Sequence, residues 1–113
     1  MAVVDAEAGK VLATLPIGRG VDGTAFDEGR KLAFASNGDG TLTVVREDTP
    51  GHFVVVENAT TLPGARTMTL DPRTHRLYLA TARFGAPPPA TPENPHPRGP
   101  MVPGTFMIMV FIK

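Results

Sequence analysis

The sequence predicts an all-β fold of short antiparallel meanders, and three observations predict it. Apolar residues come in short runs enriched in β-branched and aromatic side chains, bounded by Gly, Asp, Asn and Pro, and no stretch sustains a helical period. Twelve glycines and twelve prolines in 113 residues disfavour long helices, because both weaken helix interiors and both supply turns. The chain also repeats itself: Gly20-Val21-Asp22-Gly23-Thr24-Ala25-Phe26-Asp27 aligns with Gly64-Ala65-Arg66-Thr67-Met68-Thr69-Leu70-Asp71 at an offset of 44 residues. After a one-residue adjustment in the turn, Lys31-Leu32-Ala33-Phe34-Ala35-Ser36 aligns with Arg76-Leu77-Tyr78-Leu79-Ala80-Thr81 at an offset of 45. A repeat of this length with four strands per unit is the signature of β-propeller blades. The chain holds about two of them.

Each element follows from its boundaries. Residues 1–5 and 10–17 are apolar runs around the turn Ala6-Glu7-Ala8-Gly9, which predicts a hairpin. Gly18-Arg19-Gly20 breaks the chain before four runs at 22–26, 31–36, 41–47 and 52–57. They are separated by Asp27-Glu28-Gly29-Arg30, Asn37-Gly38-Asp39-Gly40 and Asp48-Thr49-Pro50-Gly51, each able to reverse the chain tightly, so they predict a four-stranded antiparallel meander. Residues 66–70 and 76–82 flank the turn Asp71-Pro72-Arg73-Thr74 and begin a second copy. A proline-rich insertion over 85–103 then interrupts it; proline lacks the donor that a ladder needs, so this is an excursion between strands. The apolar run 104–113 returns as the last strand. The predicted organisation is therefore one domain: two strands of a preceding blade (1–18), a complete blade (19–62) and a last blade of three strands (63–113). The first and last blades are incomplete.

Composition excludes several function classes. Eleven basic and eleven acidic residues cancel, so no net field favours nucleic acid or an acidic membrane. No stripe of basic and aromatic residues marks nucleic-acid binding. The absence of cysteine removes disulfides, thiol catalysis and thiolate metal sites. The longest apolar run, 106–112, is seven residues, against the ~20 needed to span a bilayer as a helix. Met1 leads straight into Ala2-Val3-Val4-Asp5 with no secretory leader.

Two segments carry a family resemblance. Val3-Val4-Asp5-Ala6-Glu7-Ala8-Gly9-Lys10-Val11-Leu12-Ala13-Thr14-Leu15-Pro16-Ile17-Gly18 resembles the D-x-x-T/A-G-K-V-x-x-x-I-x-V-G segment of YVTN-type β-propeller repeat proteins. Asp71-Pro72-Arg73-Thr74-His75-Arg76-Leu77-Tyr78-Leu79-Ala80 resembles that family's D-P-x-x-x-R-V-Y-V-A/T. The resemblance covers 1–84, to the C-terminal blades only, and implies a propeller scaffold and a periplasmic or secreted location. Family propellers have about seven blades, so the strands here leave sheet edges and a blade face uncovered. Self-association into a homo-oligomer through those edges is the physical expectation.

Candidate site residues are few. Asp22 and Arg66 occupy equivalent positions at the start of the innermost strand of consecutive blades, where side chains face the central channel or its mouth; a ligand would meet them first, with Thr67 and Thr24 adding hydroxyls. The commoner use of such a pair is an ion pair between blades. Asn37-Gly38-Asp39-Gly40-Thr41 invites calcium or phosphate, but further acidic ligands at fixed spacing are missing and a hairpin turn needs only these residues. His52, His75 and His96 are too widely spaced for a local metal motif. His96 with Met101 could supply imidazole and thioether to copper, whereas Met107 and Met109 share one strand face, which favours core packing. Ser36 lacks a nucleophile elbow, and Asp27 and Asp71 repeat at equivalent turn positions, which points to turn formation.

These readings lead to a non-catalytic scaffold or binding module that engages a small molecule or protein at the channel mouth and needs no cofactor. The alternative is an enzyme, either a hydrolase of lactonase type, because the blades resemble phosphogluconolactonase-type propellers, or a copper-dependent oxidase using the His and Met ligands.

Overall fold

A computed structural model describes residues 1–112. It is all-β, with nine strands among the described residues: β1 (Ala2–Asp5), β2 (Lys10–Thr14), β3 (Val21–Asp27), β4 (Leu32–Asn37), β5 (Thr41–Thr49), β6 (His52–Thr60), β7 (Thr67–Asp71), β8 (Arg76–Thr81) and β9 (Met107–Ile112). They form three antiparallel sheets, β1-β2, β3-β4-β5-β6 and β7-β8-β9. Every strand expected from the sequence is present, and Lys113, expected in the last strand, lies outside the described residues. The boundaries move for local reasons. Strand β2 stops at Thr14, two residues short of Pro16. Strand β5 runs to Thr49, because its hairpin with β6 turns on Pro50-Gly51 alone, with Gly51 at a φ of 79°, and β6 runs on to Thr60, which pairs with Thr41 at the start of β5. Arg66 lies one residue before β7.

The one-residue adjustment in the repeat is not borne out. Asp27 pairs with Leu32 and Asp71 with Arg76, so both turns have the same length and the offset stays at 44. Lys31 and His75 both take left-handed backbone, with φ of 56° and 59°, which marks them as the same position of the same turn. The equivalences thus become Ala33 with Leu77, Phe34 with Tyr78 and Ala35 with Leu79. Lys31 to Ser36 looked closer to Arg76 to Thr81 in hydrophobicity only because a shift of one exchanges the two faces of a strand.

The core lies between the four-stranded and three-stranded sheets. Phe34, Leu42 and Val44 face Leu77 and Leu79, with Ala65 beside them, and all six are buried; Met68, Leu70, Met109 and Phe111 pack around them. The first strands of these two sheets, β3 and β7, lie side by side, and the β1-β2 hairpin meets the four-stranded sheet through β2 and β6. The three sheets therefore succeed one another, with the complete one in the middle. Met107 and Met109 pair with Thr81 and Leu79 on the face turned toward the core, the packing role their spacing suggested.

The proline-rich insertion is tied at its base. Phe84 forms a bridge with Met101, Gly85 N–H donates to Pro100 C=O at 2.8 Å, and Val102 N–H donates to Arg83 C=O at 2.8 Å. Between these ties it doubles back beside the loops that precede β5 and β7.

Candidate functional site

At one end of the stack, the β4-β5 turn, the segment entering β7 and the return limb of the insertion converge. The backbone links them: Gly38 N–H donates to Gly20 C=O at 3.0 Å and Gly64 N–H donates to Gly38 C=O at 2.9 Å. Arg66 is fixed by its own main chain, whose carbonyl accepts the Ser36 hydroxyl and whose N–H donates to Gly64 C=O at 2.9 Å. Its side chain is half-buried, with its stem passing Gly38.

The three residues expected to meet a ligand are partly brought together. Thr67 Oγ1 donates to Asp22 Oδ2 at 3.3 Å across the β3-β7 junction. The ion pairs among the described residues do not include Asp22 with Arg66. Arg66 instead lines a cavity of about 270 Å³ with Gly38, Gly64, Phe84, Arg98 and Gly99. Arg98 and Phe84 escaped the sequence reading because Arg98 belongs to the insertion and Phe84 stands at its base, past the last strand of the repeat. The signal that could have found them is Gly99. A side chain there would put its Cβ 1.7 Å from Gly85 C=O, so glycine is required for the two limbs of the insertion to touch.

The other candidates are dispersed. Asn37, Asp39 and Thr41 use their side chains within and beside their turn: Asp39 Oδ1 accepts from the Thr41 hydroxyl at 2.6 Å and Asp39 Oδ2 from Arg19 N–H at 2.8 Å. Those two bonds, the hydroxyl first, hold the Asp39 carboxyl below its ordinary range. Ser36 is spent on the backbone of Gly23 and Arg66. His75 Nδ1 donates to buried Asp27 at 2.6 Å, joining the two sheets at the opposite end. His52 pairs with Asp48 at 2.5 Å on the surface, and this contact depresses the Asp48 carboxyl. His96 sits exposed in the insertion, while Met101 is at its base, paired with Phe84. Among the described residues no three His, Asp or Glu side chains converge as metal ligands. Nor is any helix among the described residues long and apolar enough to cross a membrane.

A larger cavity, about 550 Å³, opens between the hairpin residues Met1–Val4 and the four-stranded sheet at Thr24, Phe26, Ala33 and Phe53. It is mainly apolar, and Phe26 is 48% exposed there. No family model matches the chain, nor does any curated protein or any solved structure.

Proposed function

We propose that the chain is a non-catalytic binding module of β-propeller type, built from YVTN-like repeats, that works as part of a ring assembled from several copies and engages a small ligand or protein where Asp22, Arg66 and Thr67 lie. One observation carries this reading. The face by which the four-stranded sheet packs on its neighbour consists of Phe34, Leu42 and Val44, with Phe34 paired to Val44 and Ser36 to Leu42. In the three-stranded sheet the same positions hold Tyr78, Ile108 and Val110, with Tyr78 paired to Val110 and Ala80 to Ile108. There the face is open: Ile108 is 54% and Val110 51% exposed. The last sheet thus repeats the surface that binds a following sheet and leaves it uncovered.

At the other end of the stack the hairpin covers its neighbour incompletely, leaving the apolar cavity beside β1. Two different uncovered surfaces at opposite ends favour head-to-tail association, which closes into a ring when the rotation permits. The radius of gyration, 16.1 Å, also exceeds the roughly 13 Å of a compact domain of this length. Light scattering over a dilution series tests the reading. The expected mass is a multiple of 12.0 kDa that falls on dilution; a monomer at every concentration that melts cooperatively overturns it.

A further inference from the structure

We infer that the cavity between Arg66 and Arg98 is a binding site for a small molecule bearing an oxyanion, a carboxylate or a phosphate, whose remaining atoms lie against Phe84. Half-buried Arg66 and exposed Arg98 line one recess of about 270 Å³ with Gly38, Gly64, Phe84 and Gly99, and none of the lining residues is acidic. Neither arginine takes part in an ion pair among the described residues. Like charges that share a recess repel, so the arrangement is favourable when an anion sits between them. Guanidinium suits this task because its planar fork donates two parallel N–H bonds to a carboxylate or phosphate.

The scaffold is arranged to hold the two cations together. Arg66 is anchored through its main chain to Ser36 and Gly64, and Arg98 is carried back by an insertion whose limbs meet at Gly85 and Gly99 and whose base is fastened by the Phe84–Met101 bridge. At ~30 Å³ per water, the recess has room for about nine waters, enough for a phosphate or carboxylate group with a few further atoms. Phe84 offers an apolar wall beside Gly64, where a Cβ would lie 3.3 Å from the ring.

This assignment deepens the binding-module reading by naming the class of ligand, and it fails separately: a chain that assembles but binds no oxyanion overturns this site alone. Calorimetric titration with inorganic pyrophosphate and with citrate separates phosphate from carboxylate. We expect saturable binding of at least one, weakened by added salt and by about ten-fold or more in Arg66→Gln and in Arg98→Gln. Arg73→Gln, whose side chain is 92% exposed far from the recess in sequence, should leave it unchanged. Arg98 lies in an exposed segment, so Arg98→Gln tests the site even where Arg66→Gln lowers the melting temperature. No saturable binding of either probe, or equal binding by wild type and Arg98→Gln, overturns the inference.

Discussion

Gly18 lies against a buried polar cluster with no room for a methyl group. Its missing Cβ would come 2.3 Å from Thr41 Oγ1 and 2.6 Å from Asn37 Nδ2. Asn37 Nδ2 donates to Thr41 and Thr43 at 3.0 Å each, and Thr43 donates on to Asn58 at 2.8 Å. A shift of Asn37 or Thr41 would break bonds inside a buried network. Gly18→Ala should therefore lower stability by about 2 kcal/mol, read from urea denaturation; a change within error would show that the hairpin simply moves away. The Asp27–His75 pair carries a second expectation. Asp27 is buried and also accepts from Arg30 N–H at 3.2 Å, so His75→Ala leaves a buried carboxylate short of a partner. We expect a loss of about 2 kcal/mol by the same measurement. Asp27 was legible as a turn residue; its bond across the sheets was not, because repetition marks only what both copies share, and the second copy has Asp71 on the surface.

The turns make the elements sensitive to acid. The Asp39, Asp48 and Asp71 carboxyls all lie below their ordinary value of 3.8, held there respectively by the Thr41 hydroxyl, by His52 and by Arg73 N–H with the Thr74 hydroxyl. A depressed carboxylate binds its proton more readily in the unfolded chain, so its contribution is fully present above 3.8 and is lost as pH falls below that value through the folded range. Melting temperature should hold steady above about pH 5 and drop toward about pH 2, less steeply in Asp71→Asn; a profile flat through this range would contradict these roles. At this scale the sequence was largely transparent. All nine strands could be placed because Gly, Asp and Pro punctuate short apolar runs. The register of the repeat could not, since Ala33 and Ala35 in one copy correspond to Leu77 and Leu79 in the other. Arg98 was hidden for a related reason: nothing in an irregular proline-rich stretch says where its return limb comes to rest.

For the whole molecule, the decisive feature is a sheet face that exists twice, covered in the middle of the stack and bare at its end. Ile108, Val110 and Ile112 lie exposed on alternate positions of β9, with Ala80, Tyr78 and Arg76 respectively opposite them. Surfaces of this kind are costly in water unless a partner covers them. The same face also makes aggregation the failure mode if the rotation between copies does not close a ring. The proposed oxyanion site at Arg66 and Arg98 does not require closure, because every residue lining that recess comes from one chain. The most direct test of the account is sedimentation velocity of the double variant Ile108→Lys, Val110→Lys beside the wild type. Two buried-on-assembly charges should leave the fold intact, since both side chains point away from the core, and should yield a monomer where the wild type sediments as an oligomer. Unchanged assembly in the variant would contradict the claim that this face joins one copy to the next.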